Sequence, residues 1–389
     1  MSAAAPVAVL GGGLAGLSLA LQLRRAGLRR PIEILEPRES YSADRTWCFW
    51  ATASHPFEAL VATRWRRWRV TAPDGTVAEG TARYPYCRLP AGAFYDAVLA
   101  ELARSAQIRL HRGVTATAPR ADAGGYAVDS DAGRLRAGLV FDGRPPAPAA
   151  WPARGHPFLW QDFLGWQVTT ERPSFDPEVL DLMDFRGAGE SAGIRFLYVL
   201  PLSPRAALVE ATVFSAAPPD PATHTARLQA ALAARAGDGY TVTAREAGRI
   251  PMTTAPPPAA EAPGVIPIGT RAGAPRPSTG YAFLAIQDHV RRLATATVQG
   301  RPRPLPVRGA VPRWLDRVFL SRLLADPAAA PWLFHRLVDR VPGDRLVRFL
   351  SECGTPRDHL AVMAALPAGP FLTAALRSFQ PARRDHDAA

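Results

Sequence analysis

The chain contains no lysine: all 46 of its basic residues are arginine. Complete loss of one basic residue fits a GC-rich coding bias, so part of the formal net charge of +12 reflects composition rather than a binding surface. The remaining excess favours anionic partners such as membrane headgroups, phosphates or nucleic acid. Nucleic acid is not expected, because no nucleic-acid module is recognisable and the aromatics do not alternate with basic residues as a base-stacking surface requires. Cysteine is scarce as well. Cys48, Cys87 and Cys353 lie far apart with no CxxC pair, which argues against a disulfide framework or a zinc site and fits a reducing compartment. The histidines, His55 and His111 among them, show no ligand spacing, so no metal is expected. No stretch of ~18 consecutive apolar residues is present to form a transmembrane helix. The opening MSAAAPVAVLGGG has no basic segment and passes from a short apolar run straight into glycines, so it reads as a strand rather than a signal peptide.

What is present begins at that point. Pro6 to Leu10 has the apolar run of a buried parallel strand, and Gly11-x-Gly13-x-x-Gly16 follows it. Leu17 to Ala26 has helix formers with an apolar face, Gly27 ends it, and Pro31 to Glu36 is a second strand. In such a βαβ unit the first glycine allows the tight turn, the second lets a pyrophosphate reach the backbone, and the third lets helix and strand pack closely. The helix start then faces the phosphates with free amides. Glu36, 20 residues beyond Gly16, stands where a carboxylate binds a ribose. Leu14 and Ala15 complete the turn. The N-terminal position of the turn favours FAD over NAD, as does a second glycine site much later. This site is Gly269-Thr270-Arg271-Ala272-Gly273, followed by Ser278-Thr279-Gly280 and a helix from Tyr281.

At 389 residues the chain is long enough for two or three domains at ~150 residues each. The expected fold is α/β: a Rossmann-like FAD-binding domain (1–150 with 262–300), an inserted antiparallel sheet for substrate (151–261) and a helical C-terminal region (301–389). Residues 40–90 hold short aromatic strands placed to contribute to the substrate site. Residues 158–215 are rich in strand signals, residues 223–236 form a helix, and Pro312 to about Phe379 forms short helices mixing large apolar groups with arginine.

These segments resemble the bacterial lycopene β-cyclases, FAD-dependent members of the p-hydroxybenzoate-hydroxylase-like flavoprotein group. The resemblance runs over essentially the whole chain. It is carried by GGGLAGLSLALQLR, Arg45-Thr46-Trp47-Cys48-Phe49, Val140-Phe141-Asp142-Gly143-Arg144, Phe196 to Pro204 (FLYVLPLSP), Arg271-Ala272-Gly273 and Pro277-Ser278-Thr279-Gly280-Tyr281; FLGWQV at 163–168 is a looser match. The family's acidic motif after PLSP reads Glu210-Ala211-Thr212 here. The resemblance therefore makes Glu210 the catalytic acid. Because alanine stands at 211, help from a second carboxylate is not expected.

The activity implied is redox-neutral cyclisation of lycopene ψ ends to β-ionone rings. A proton goes to C2, the C5=C6 bond attacks the C1 cation, and the C6 proton leaves. Reduced FAD is implied as the cofactor, NAD(P)H as its electron source, and an acyclic carotenoid as the partner. Cofactor contacts are expected from Gly11, Gly13, Leu14, Ala15, Gly16, Glu36, Arg45, Asp142, Gly269, Arg271, Ala272, Gly273, Thr279 and Gly280. Trp47, Phe49, Trp50, Trp160, Trp166 and Tyr281 are candidates for the substrate wall, where aromatic faces tolerate a cation. By alternation alone, a glutamate in a strand faces solvent and a tryptophan packs in the core. An FAD-dependent monooxygenase or isoprenoid reductase of the same fold is the alternative. Lycopene dissolves in the bilayer, so the C-terminal helices are expected either to dock on the inner face of the cell membrane from the cytoplasm or to cap the substrate domain.

Overall fold

The computed structural model describes residues 5–187 and 193–378. The first four residues and the expected helical region beyond 378 lie outside them. Every residue of the strand Val7–Leu10 is buried, because it occupies the centre of a five-stranded parallel sheet. Its neighbours are Leu139–Asp142 on one side and Ile32–Glu36 on the other, with Ile266–Pro267 and Ile108–Arg112 at the edges. Strands covered on both faces read as continuous apolar runs, which is why VAVL is conspicuous in the sequence. The helix Leu14–Arg25 covers this sheet and packs on Phe283–Val298, where the Gln287 amide donates to the Ser18 hydroxyl at 3.0 Å.

An eight-stranded sheet forms the second layer. In spatial order it runs Tyr240–Thr253, Phe158–Thr170, Ala206–Ser215, Ile194–Ser203, Val179–Asp184, Thr63–Thr71, Val77–Pro90 and Thr46–Trp50. All pairings are antiparallel except that of Val179–Asp184 with Thr63–Thr71, which is parallel. The sheet therefore takes three strands from residues 46–90 and five from 158–253. A small hairpin sheet, Arg120–Asp122, Gly125–Ser130 and Gly133–Ala137, precedes Leu139–Asp142. The last hairpin strand and the parallel strand that follows it separate at Gly138.

The two faces of the large sheet differ, and alternation explains the difference. On one face Trp166, Val168, Leu197, Val199, Ala207, Val209 and Ala211 pack against Leu228 and Leu232 of the helix Pro221–Ala236. The other face looks toward the parallel sheet and the C-terminal helices Ala310–Ala325, Ala330–Arg340, Gly343–Leu350, Pro356–Ala365 and Ala368–Ser378. Among the described residues no single helix is long and apolar enough to cross a membrane, although the last two, bent by 120°, pass the test as a pair.

Candidate active site

Between the two sheets and the C-terminal helices lies one continuous cavity of about 900 Å³, near the top of the ~300–1,000 Å³ range of small-molecule sites. One end is the glycine turn. Gly11 adopts φ +92°, a conformation that disfavours a side chain. A Cβ on Gly16 would lie 2.0 Å from the Gly11 carbonyl oxygen, so only glycine lets the helix close on the turn. A Cβ on Gly13 would meet only the Arg38 guanidinium, 4.0 Å away. Gly13 caps the helix without a side-chain acceptor, and the first turn carries no acid. This is a cradle open to a phosphate group, with backbone amides and the positive helix end facing it. Glu36 closes the turn from behind: it accepts the Gly12 N–H at 2.6 Å and the Arg38 backbone and guanidinium N–H groups at 2.9 and 2.8 Å. Arg38 lies over the Tyr41 and Tyr95 rings. Arg45 is half exposed on the cavity wall and paired with Asp44 at 2.7 Å. The residues present fit the diphosphate and ribose of a dinucleotide.

Farther along, the large sheet presents a row of three positions across three strands. Gly165 pairs with Glu210 on one side and with Glu246 on the other. A Cβ on Gly165 would lie 2.9 Å from Glu210 Cγ and 3.1 Å from Glu246 Cγ, so the two carboxylate side chains converge over a residue without one. Glu210 lines the cavity. Glu246 accepts a hydrogen bond from the Thr46 hydroxyl at 2.8 Å. Around them Tyr198 donates to the Tyr86 hydroxyl at 2.9 Å, and Cys48 and Tyr281 complete a buried polar cluster. Burial first, and the neighbouring Glu246 second, push the Glu210 carboxyl well above the ordinary carboxylate range. Burial raises Glu246 too, opposed by the Thr46 and Glu210 hydrogen bonds and by the Arg88 charge. Burial also lifts Tyr86 and Tyr198 well above the usual phenol range, and Tyr281 to about 12. Burial and the neighbouring carboxylate thus favour the protonated form of Glu210, the direction a proton donor requires.

The structure corrects the expectation that Glu210 has no second carboxylate. Position 211 points to the other face of the sheet, where Ala211 packs among the apolar residues of the helix-covered layer. The acid that approaches Glu210 comes from the edge strand, 36 positions on. The same alternation removes two aromatic candidates from the cavity: Trp166 faces the helix layer, and Trp160, which alternates with the cavity-lining Gln161, packs edge-on against Phe158. Phe49 shares a face with Trp47 but stacks under the cavity-lining Phe283. Trp50 is buried against Trp68 and Tyr86. Trp47 and Tyr281 line the cavity, as do Gly11, Gly13, Leu14, Ala15, Gly16, Glu36, Thr279 and Gly280.

At the second glycine site Thr270 reaches the wall instead of its neighbours. Arg271 turns away, donating to the Arg144 carbonyl at 2.9 Å and pairing with Asp142 at 3.3 Å. Asp142 is fully buried and holds Arg144, which does line the cavity. Gly269 packs against Ala15, and Ala272 and Gly273 border a separate smaller pocket. The cause is a single helical turn over Gly269–Ala272, which coils these residues under the loop rather than along the wall. Among the described residues no cluster of histidine, cysteine, aspartate and glutamate could hold a metal.

The other end of the cavity is apolar, walled by Phe319, Phe334, Leu337, Phe371 and Leu372 of the C-terminal helices. Buried charges bind these helices to the 269–280 loop. Arg276 donates to Asp316 at 3.0 Å and to the Phe349 carbonyl at 2.7 Å, and Ser278 donates to Asp316 at 2.6 Å. Arg308 joins Glu352 at 3.0 Å and also donates to the carbonyls of Gly273 and Ala274.

A parallel nucleotide-type sheet whose glycine turn opens on a cavity shared with a mixed sheet, and with a buried pair of glutamates farther along, defines a two-sheet α/β enzyme. The chain belongs to the lycopene cyclase family, whose family model, described as lycopene cyclase protein, matches residues 6–376. It is 28% identical over 390 residues to a lycopene beta-cyclase of Paracoccus sp. (strain N81106 / MBIC 01143), covering 95% of each chain. It is 29% identical over 406 residues to that of Pseudescherichia vulneris, covering 97% of this chain and 98% of the relative. Among solved structures, the flavin-dependent monooxygenase PieE in complex with FAD and substrate matches with a TM-score of 0.57 at 14% identity, over 97% of this chain and 73% of PieE; that likeness is one of fold.

Proposed function

We propose that the protein is a lycopene β-cyclase that closes ψ ends into β-ionone rings without net redox change. The observation that carries this reading is Glu210, a buried carboxyl on the wall of an apolar cavity that begins at a dinucleotide cradle. Ring closure needs a proton donor shielded from water, and burial keeps the Glu210 proton in place until an alkene presents itself. The donated proton leaves the Glu210 oxygen for C2. After the C5=C6 bond closes on C1, loss of the C6 proton restores the balance. Trp47, Tyr86, Tyr198 and Tyr281 present aromatic surface to the cation.

The cradle residues Gly11, Gly13, Leu14, Ala15, Gly16 and Glu36, with Arg38, Arg45, Thr270, Thr279 and Gly280, would hold FAD. PieE, which shares the fold, is named in complex with FAD. When bound in its reduced form, FAD would supply negative charge beside the cavity; NAD(P)H is the proposed electron source.

The C-terminal helices are the proposed membrane-facing surface, reached from the cytoplasm. Among the described residues, seven of the nine exposed large apolar side chains belong to them, including Leu360, Met363, Leu372 and Leu376. Met363 and Leu372 also line the cavity, so an extracted carotenoid would pass from lipid to acid over apolar surface.

Expression in a lycopene-accumulating bacterium tests the reading by pigment chromatography. The expected product carries β-rings, and Glu210→Gln is expected to lower its formation by about 10²–10⁴-fold, the usual contribution of a general acid. Unchanged lycopene with the parent chain overturns the cyclase. Full cyclisation by Glu210→Gln overturns the role of Glu210.

A further inference from the structure

The sequence offered one acid and the structure supplies a second. We propose that Glu246 is a positioning residue for Glu210: the two carboxyl groups share one proton across Gly165, held on Glu210 at the cavity wall with Glu246 as its acceptor. Three observations support the pairing. The register places both residues directly opposite Gly165, on the same face of the sheet. Their side chains converge where a Gly165 Cβ would otherwise sit. Glu246 is itself anchored by the Thr46 hydroxyl at 2.8 Å, so it has a fixed partner on one side and Glu210 on the other.

The surroundings make the assignment of the proton asymmetric. Facing the pair are Thr46 and Cys48 from Thr46–Trp50, Tyr86 and Arg88 from Val77–Pro90, Tyr198 from Ile194–Ser203, and Tyr281. Arg88 is the cation of this group, and it acts on Glu246. A positive charge and a donated hydroxyl favour the anion at Glu246, which leaves the proton on Glu210. Two carboxyls this close cannot both ionise without mutual repulsion, so the pair retains one proton at neutral pH.

The pairing gives Glu246 a part in the proposed cyclisation, and that part rests on the cyclase reading. When the Glu210 O–H bond breaks, its electron pair stays on the carboxylate and a C–H bond forms. The paired carboxylates then carry two negative charges beside one carbocation. Their mutual repulsion favours recapture of a proton, and the pair ends with the single proton it began with. No electrons are exchanged. Glu246 thus orients the donor and strengthens the base without touching substrate.

Infrared titration of the substrate-free flavoprotein tests the pairing without using turnover. The parent is expected to show a buried protonated-carboxyl C=O band at neutral pH that is lost in Glu210→Gln and displaced in both Glu246→Gln and Gly165→Ala. Turnover of lycopene tests the role. Glu246→Gln removes the charge that holds the proton on Glu210, so the alkaline limb of the pH–rate profile is expected to move to lower pH. In the same variant kcat is expected to fall about tenfold with KM little changed, and Glu246→Asp is expected to recover part of the loss. A Glu246→Gln protein that keeps its flavin and melting temperature, with the parental band and alkaline limb, overturns the proposal. If Glu246→Gln does not fold, Gly165→Ala and Glu246→Asp carry the same two measurements, and parental values in both overturn it. A displaced band together with a parent chain that leaves lycopene unchanged would uphold the pairing while removing the cyclase.

Discussion

The glycine cradle and the glutamate row use glycine for opposite ends. At Gly11 and Gly16 the missing side chains bring backbone close to backbone, and at Gly13 the missing side chain leaves the helix start open to the cavity. At Gly165 the missing side chain brings two carboxylate-bearing side chains together. The cradle is assembled within 26 consecutive positions, Gly11 to Glu36, whereas the row spans 82, from Gly165 to Glu246. A backbone site needs only local geometry, so its spacing is written in the chain. A side-chain site in a sheet depends on which strands become neighbours and in what register.

Three measurements break or sharpen this contrast. The largest effect is expected from Gly16→Val, whose Cβ would meet the Gly11 carbonyl oxygen at 2.0 Å. The helix must then leave the strand, and the purified protein is expected to lose both flavin absorbance and its cooperative melt. Flavin retention by this variant would show that the cradle is not set by glycine contact.

Leu360→Asp touches neither site and lies outside the cavity lining, but it changes the exposed apolar rim. Losing one leucine's interfacial burial, worth about 1.5 kcal/mol, is expected to weaken binding to anionic vesicles about tenfold. Cyclisation of detergent-dispersed lycopene should stay near the parental rate. Unchanged vesicle binding would remove these helices as the membrane-facing surface.

The smallest effect is a stability difference at the row. Glu210 has a raised pKa in the folded protein, so the folded state binds more protons than the unfolded one above the ordinary carboxylate range. That contribution is complete below the range and declines as pH climbs through Glu210's own higher value. Glu210→Gln escapes the decline. Its melting temperature is therefore expected to exceed the parent's by a margin that widens by a few degrees from pH 5 to pH 8. A constant difference across that interval would place the Glu210 carboxyl at an ordinary pKa.

Legibility in the sequence followed the same division. The strand, turn and helix of the first 36 residues were readable because each is local, and the apolar VAVL run declared a strand covered on both sides. The large sheet was readable as strands but not as an arrangement. Nothing in residues 46–50 announces that they form the far edge of a sheet also built from 158–253. Glu210 was found through family resemblance alone. Glu246 lies in a stretch read only as part of the inserted sheet 151–261, and the partner of Glu210 was sought at the adjacent position 211, which alternation sends to the opposite face. One signal was available: Gly165 and Gly248 interrupt strands otherwise rich in bulky residues, and a glycine inside a strand marks a close approach. Trp160 and Trp166 misled for the same reason as Ala211, since alternation sends them to the face away from the cavity.

The buried pairs Arg276–Asp316 and Arg308–Glu352 carry a further consequence. They fasten the 269–280 loop, which borders the cradle end, to the helices that wall the apolar end. Binding at the two ends is therefore expected to be thermodynamically linked. A ligand that occupies the cradle only when this loop is seated also holds the helices, by an amount that grows with its concentration over its dissociation constant. By reciprocity, a hydrocarbon that settles among the helices must tighten the grip on the ligand at the cradle.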